Sequence, residues 1–176
     1  TGIIGYTGDS GPAIDAQIGY PYGVVIDREG NIYFSDGINN VVRKISNSGI
    51  ITTVAGTGFS GYNGDNIPAI SAQLHGPSGL AVDDSGNLYI ADGWNFTIRK
   101  VDTSGIITTI AGIQGSTGSG GDGGPATSAH FGQPSDVAID SAGNLYITDQ
   151  VNNSIRKINS SGIITTIAGV GAPGYS

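Results

Sequence analysis

Gly86-Asn87-Leu88-Tyr89-Ile90-Ala91-Asp92 is a short apolar run set between a Gly-Asn turn and an aspartate. Such a run reads as a β-strand covered on both faces. It occurs also as Gly30-Asn31-Ile32-Tyr33-Phe34-Ser35-Asp36 and as Gly143-Asn144-Leu145-Tyr146-Ile147-Thr148-Asp149, 56 residues before and 57 after. Three copies at this spacing identify a repeat protein.

The unit around the middle copy contains four strands. Pro77 to Asp83 is a first strand rich in small residues, and Asp83-Asp84-Ser85-Gly86-Asn87 is a hairpin turn with glycine where positive φ is needed. Leu88 to Asp92 follows, then Thr97 to Val101 after the turn at Gly93-Trp94-Asn95, then Ile106 to Ala111 after Asp102-Thr103-Ser104-Gly105. Strands this close in sequence pair antiparallel, so each unit is a four-stranded meander. The connections between units carry Asp-x-x-Pro-Ala-x-x-Ala at Asp9, Asp65 and Asp122, a signal for one or two helical turns with the aspartate as N-cap. With both faces of every meander apolar, the sheets must stack face to face, which describes a β-propeller. A β-solenoid is the alternative, although its periods run shorter.

Composition agrees with many short strands and tight turns: 31 glycines and seven prolines in 176 residues. There is no cysteine, which excludes disulfides, thiolate catalysis and thiolate-bound zinc. The net charge of −7 argues against nucleic acid or an anionic membrane as partner, and no run is long enough for membrane insertion as a helix. The charges themselves repeat. Six of the seven basic residues are the pairs Arg43-Lys44, Arg99-Lys100 and Arg156-Lys157. Nine of the fourteen acids are Asp9/Asp65/Asp122, Asp27/Asp83/Asp140 and Asp36/Asp92/Asp149. Charge placed identically in every unit points to architecture.

Pro21/Pro77/Pro134 and Asn39/Asn95/Asn152 stand in register with Gly-Asn-Leu-Tyr-Ile-Ala-Asp and Ile-Arg-Lys. On these residues the whole chain resembles NHL-repeat propellers, in a bacterial form found in exported repeat proteins. The resemblance implies an all-β propeller of four-stranded antiparallel blades, and a single domain over residues 1–176. Blades fall at about 19–56, 76–112 and 133–169, with connections at 1–18, 57–75 and 113–132. It also implies a ring of six blades, of which three are present. An arc of three leaves two apolar sheet faces open. The expectation is a homodimer of three plus three blades, or an open head-to-tail assembly if the junction does not close. Both ends align with Thr57 to Tyr62, and the chain has no methionine, so a processed or excised piece of something longer is also expected.

Specificity should reside where the units differ, in two sets of loops that emerge on one face. Tyr20, Tyr22, Asn39, His75, Trp94, Asn95, Phe96, Gln133 and Asn152 are the candidate ligand-binding residues. Aromatic plates beside amides suit a glycan or an extended peptide of a protein partner. Asp9, Asp65 and Asp122 are candidate calcium ligands, set against their reading as caps. A zinc site from His75 and His130 would need a converging carboxylate, and no catalytic serine elbow or phosphate loop occurs. Asp36/Arg43, Asp92/Arg99 and Asp149/Arg156 read as pairs between adjacent strands. The functional expectation is a non-enzymatic scaffold or binding module, extracellular or on a bacterial cell surface, with no cofactor. The alternatives are a purely architectural or engineered fragment, and a calcium-dependent hydrolase or lyase whose one channel acid is Asp136.

Overall fold

A computed structural model describes residues 5–169. Thr1 to Ile4 and Val170 to Ser176, on which the alignment of the two ends partly rests, lie outside the described residues. Blade 1 is the antiparallel sheet β1 (Pro21–Ile26), β2 (Ile32–Asp36), β3 (Val41–Ile45) and β4 (Ile51–Ala55) in that order. A two-residue strand β5 (Ile67–Pro68) follows in the connection. Blade 2 holds β6 (Pro77–Val82), β7 (Leu88–Asp92), β8 (Thr97–Val101) and β9 (Ile106–Ala111), with β5 added beside β9. Blade 3 repeats the order with β10 (Pro134–Ile139), β11 (Leu145–Asp149), β12 (Ser154–Ile158) and β13 (Ile164–Ala168). No helix among the described residues is long and apolar enough to cross a membrane.

The β1–β2, β6–β7 and β10–β11 hairpins owe their shape to one carboxylate each. Asp83 Oδ1 accepts the backbone N–H of Ser85 and Asn87, while its Oδ2 accepts Asn87 Nδ2 at 2.7 Å and the Tyr89 hydroxyl at 3.0 Å. Gly86 takes the positive φ of 88° that closes the turn. Asp140 repeats the arrangement with Asn144 and Tyr146, and these hydrogen bonds, Asn144 first, lower its pKa to about 2. Burial and the bond to Asp83 push the Tyr89 phenol up to about 12.

The core is the pair of seams between blades, with a smaller cluster of Ala16, Phe34 and Ile51 where the first connection packs on blade 1. Val42 and Ala55 of blade 1 meet Leu80, Leu88, Ile90 and Ile107 of blade 2. On the other side of blade 2, Ala81, Ala91, Ile98 and Ala111 meet Val137, Leu145, Ile147 and Ile164. All five residues of β7 are therefore buried. The inner strands approach so closely that a Cβ on Gly23 would strike Ser78 and Gly79, and one on Gly79 would strike Asp136.

The connections are pinned by the repeated arginines, which are almost wholly buried. Arg43 Nη2 donates to Asp9 Oδ1 at 2.6 Å and to the Thr7 carbonyl at 3.0 Å, and its Nη1 reaches the Gln17 carbonyl. Arg99 meets Asp65 and the Gly64 carbonyl, and Arg156 meets Asp122 and the His130 carbonyl. An aromatic ring faces each guanidinium: Tyr6, Tyr62 and Phe131, at 4.7 to 5.6 Å. This corrects the N-cap reading of Asp9, Asp65 and Asp122. Each connection has a single turn of 3-10 helix, Ala13–Asp15, Ala69–Ser71 or Ala126–Ser128, preceded by proline and without a side-chain cap. The aspartates recur because a buried cation must have its counter-charge.

Candidate functional site: a cleft at the loop face

Asp36, Asp92 and Asp149 end the second strands and gather the rim. Asp92 Oδ1 accepts the His75 backbone N–H at 2.7 Å, and its Oδ2 accepts Asn95 Nδ2 at 2.7 Å. The same amide nitrogen donates to the Gly61 carbonyl at 2.7 Å. Asp149 with Asn152 holds Gly132 and Gly118 in the same way, and Asp36 with Asn39 holds Gly19 and Gly5 through Oδ1 alone. Burial pushes the Asp92 carboxyl up to about 6 against the opposing pull of Asn95, the His75 amide and Arg99, and raises Asp36 in the same sense. The strand pairing expected of these aspartates with the repeat arginines is met only in blade 2, where Arg99 Nη1 is 3.6 Å from Asp92 Oδ2.

Held by these clamps, the rim loops and the inner strands enclose a cleft of about 910 Å³. Tyr20, Tyr22, Val24 and Ile38 of blade 1, Leu80 and Trp94 of blade 2 and Val137 of blade 3 supply its apolar lining. Gln133, Ser135, Asp136 and Gln150 of blade 3, with Ser78 of blade 2, supply its polar groups. Tyr20, Tyr22 and Trp94 are each more than half exposed. Tyr20 has φ of 52°, where blade 2 has Gly76 at 60°. A bulky residue in the left-handed region costs about 1–3 kcal/mol and is held there by its surroundings.

Of the candidate ligand-binding residues, Tyr20, Tyr22, Trp94 and Gln133 line this cleft. His75 is exposed just outside it, its ring 6.3 Å from that of Trp94. Asn39, Asn95 and Asn152 are structural instead, each amide being spent on its aspartate and on a carbonyl of the connection. Phe96 is half-buried and outside the cleft. Val24, Ile38, Ser78, Leu80, Ser135 and Val137 also line the cleft without having been expected as ligand contacts, as do Asp136 and Gln150. For the last two the signal was in the register, since Asp136 replaces Gly23 and Gly79 while Gln150 replaces Gly37 and Gly93.

The calcium candidates do not converge. Asp9 uses one oxygen on Arg43 and the other on the Thr53 N–H, and Asp122 repeats this with Arg156 and Thr166. Asp65 accepts from Arg99, Thr109 and the Tyr62 hydroxyl. His130 lies 3.2 Å from Ser116 Oγ in another connection from His75. Among the described residues no three His, Asp or Glu side chains gather as a metal site.

Four-stranded meanders stacked through small inner strands, with Arg-Asp pinned connections and a cleft at the loop face, define an NHL-type β-propeller arc. The sequence matches the teneurin NHL domain family over residues 5–62, 58–120 and 115–173, and the chain belongs to that family. It is 30% identical to mouse Teneurin-3 over 176 residues, 93% of this chain and 6% of that protein. With human Teneurin-4 it shares 31% identity over 177 residues, again 6% of the relative. The chain thus spans less than a tenth of the length of these relatives. Among solved structures, a protein of unknown function from Bacteroides thetaiotaomicron superposes with a TM-score of 0.69 at 29% identity, covering 78% of this chain and 34% of that one. A gluconolactonase from Xanthomonas campestris superposes with a TM-score of 0.63 at 14% identity, covering 88% and 49%. The second likeness concerns the fold alone.

Proposed function

We propose that this chain is a non-enzymatic propeller scaffold that assembles through its two open blade faces and binds a protein or carbohydrate ligand at its loop-face cleft. One comparison carries the assembly. Val24 is 68% exposed while Leu80, its equivalent one blade on, is 6% exposed. At the other end Ile155 is 39% exposed while its equivalent Ile98 is 0%. The face that blade 1 leaves open is of the kind that blades 2 and 3 press onto their predecessors, and the open face of blade 3 is of the kind that receives it. Two copies offer each other both halves of a seam already made twice in the chain.

Sedimentation velocity tests this. A closed species with the mass of two chains is expected. Mass that grows without limit as concentration rises would favour the open head-to-tail form, and a stable monomer at micromolar concentration would refute self-assembly. The ligand side is supported by exposed aromatics, amides and hydroxyls lining one cleft. The non-enzymatic reading is supported by the cleft's having a single ionisable carboxylate, Asp136. The setting that suits this reading is an extracellular or cell-surface one, in a bacterium.

A further inference from the structure

We infer that the cleft selects a basic ligand, receiving a lysine or arginine side chain from an extended peptide. The inference rests on the binding reading above and narrows it.

Asp136 is the one charged residue among those lining the cleft. It is exposed, and its one hydrogen bond among the described residues is from the Val137 backbone N–H to Oδ1 at 2.9 Å. Its position is glycine in the other two blades, so the carboxylate is no part of what makes a blade. The structure also differs there, because Asp136 pairs with Thr148 in the ladder, where the inner strands of blades 1 and 2 skip the equivalent residue in a bulge.

The lysines and arginines are engaged elsewhere. Arg28 is paired with Asp84. Arg43, Arg99 and Arg156 are held by Asp9, Asp65 and Asp122. Lys44, Lys100 and Lys157 lie over Tyr33, Tyr89 and Tyr146, at 5.3 to 5.7 Å from the ring centroids. These are all seven basic residues of the chain. Among the described residues no lysine or arginine is thus left for Asp136, and a protein of net charge −7 draws cations toward it from solution.

The remaining lining suits the rest of such a side chain. Tyr20, Tyr22 and Trp94 present ring faces for an alkyl stem and for cation–π contact with an ammonium or guanidinium. Gln133, Gln150, Ser78 and Ser135 offer neutral partners to a peptide backbone. A neutral glycan would use the amides and rings but would leave Asp136 desolvated without a partner, which is unfavourable.

Trp94 is the single tryptophan of the chain, so its fluorescence reports on this cleft alone. The test titrates the assembled protein with acetyl-Ala-Ala-Lys-Ala-Ala-amide, the same peptide with norleucine or glutamate in place of lysine, and maltotriose. Saturable change is expected with the lysine peptide, with affinity at least about tenfold above the norleucine peptide. Asp136→Asn, an isosteric change at an exposed position, should remove that preference, and added salt should weaken it. Equal or better binding of the norleucine peptide or of maltotriose, or a lysine preference that survives Asp136→Asn, overturns cation selection while leaving a binding cleft in place. No saturable response of Trp94 to any of the four probes, with calorimetry agreeing, overturns both readings.

Discussion

Arg43 Nη2 lies 2.6 Å from Oδ1 of Asp9, a residue 34 positions earlier that sits in the connection leading into the blade. Arg156 and Asp122 repeat the contact at 2.8 Å, and Arg99 and Asp65 at 3.1 Å. The guanidinium is buried while the carboxylate is partly open to water. Almost all the desolvation therefore falls on the arginine, and the aspartate is what makes its burial tolerable.

Asp65→Ala should accordingly destabilise the protein well beyond the cost of a surface substitution. Loss of the counter-charge to a buried arginine is worth about 3 kcal/mol. The urea midpoint should fall by the corresponding amount at unchanged m value. A shift as small as that of an ordinary surface change would mean that the Gly64 carbonyl and Asp92 suffice for Arg99.

Gly79→Ala and Gly86→Ala should separate two uses of glycine. An added Cβ at Gly79 would strike Asp136 of the next blade, so the seam must open, at about 1–3 kcal/mol. At Gly86 the nearest atom, Thr103 Cγ2, is 3.7 Å away, and only the positive φ is strained, at about 1 kcal/mol. Thermal unfolding of the two variants should differ in that order. Only Gly79→Ala should also disturb the Trp94 cleft, read by its fluorescence.

Asp92 makes stability depend on pH in an unusual direction for a carboxylate. Its folded pKa of about 6 lies above the ordinary 3.8, so the folded state holds a proton that the unfolded state releases. Its contribution is full below about pH 4 and is lost as pH rises to about 6, roughly 3 kcal/mol over that window. Asp92→Asn should abolish this component. The difference in unfolding free energy between wild type and variant, measured in urea from pH 4 to 7, should move against the wild type as pH rises. A difference that is flat with pH would show that Arg99 at 3.6 Å outweighs burial.

Val24→Glu and Leu80→Glu place the same charge at the same position of successive blades. Leu80 is inside the first seam, so its substitution should prevent folding. Val24 is on the open face, so its substitution should leave circular dichroism unchanged and yield a monomer in sedimentation. Ile155→Glu should act as Val24→Glu does. Persistence of the two-chain mass in either open-face variant would place the interface elsewhere.

Periodicity made the blade legible before any coordinates. Strands of five or six residues with turn signals at constant offsets admit few arrangements, and Gly86-Asn87-Leu88-Tyr89 with Asp83 is a local circuit whose partners lie within six residues. The Arg-Asp staple was not legible in the same way. Asp65 stands beside a Pro-Ala turn and so resembled a cap, while its actual partner is 34 residues away in the blade. The repeat asparagines were misleading for a related reason, since recurrence gave them a uniform chemistry that turned out to be structural.

Sequence alone determined that the chain would form four-stranded blades needing neighbours on both faces, because short-range turn chemistry and strand patterning are encoded by adjacent residues. Tertiary structure alone decided which polar residues hold the connections and which remain at the surface. It brought Tyr20 and Trp94, from two different blades, to the same cleft as Asp136. That grouping depends on how closely the inner strands stack at Gly23 and Gly79, a property of the seams between blades rather than of any one repeat.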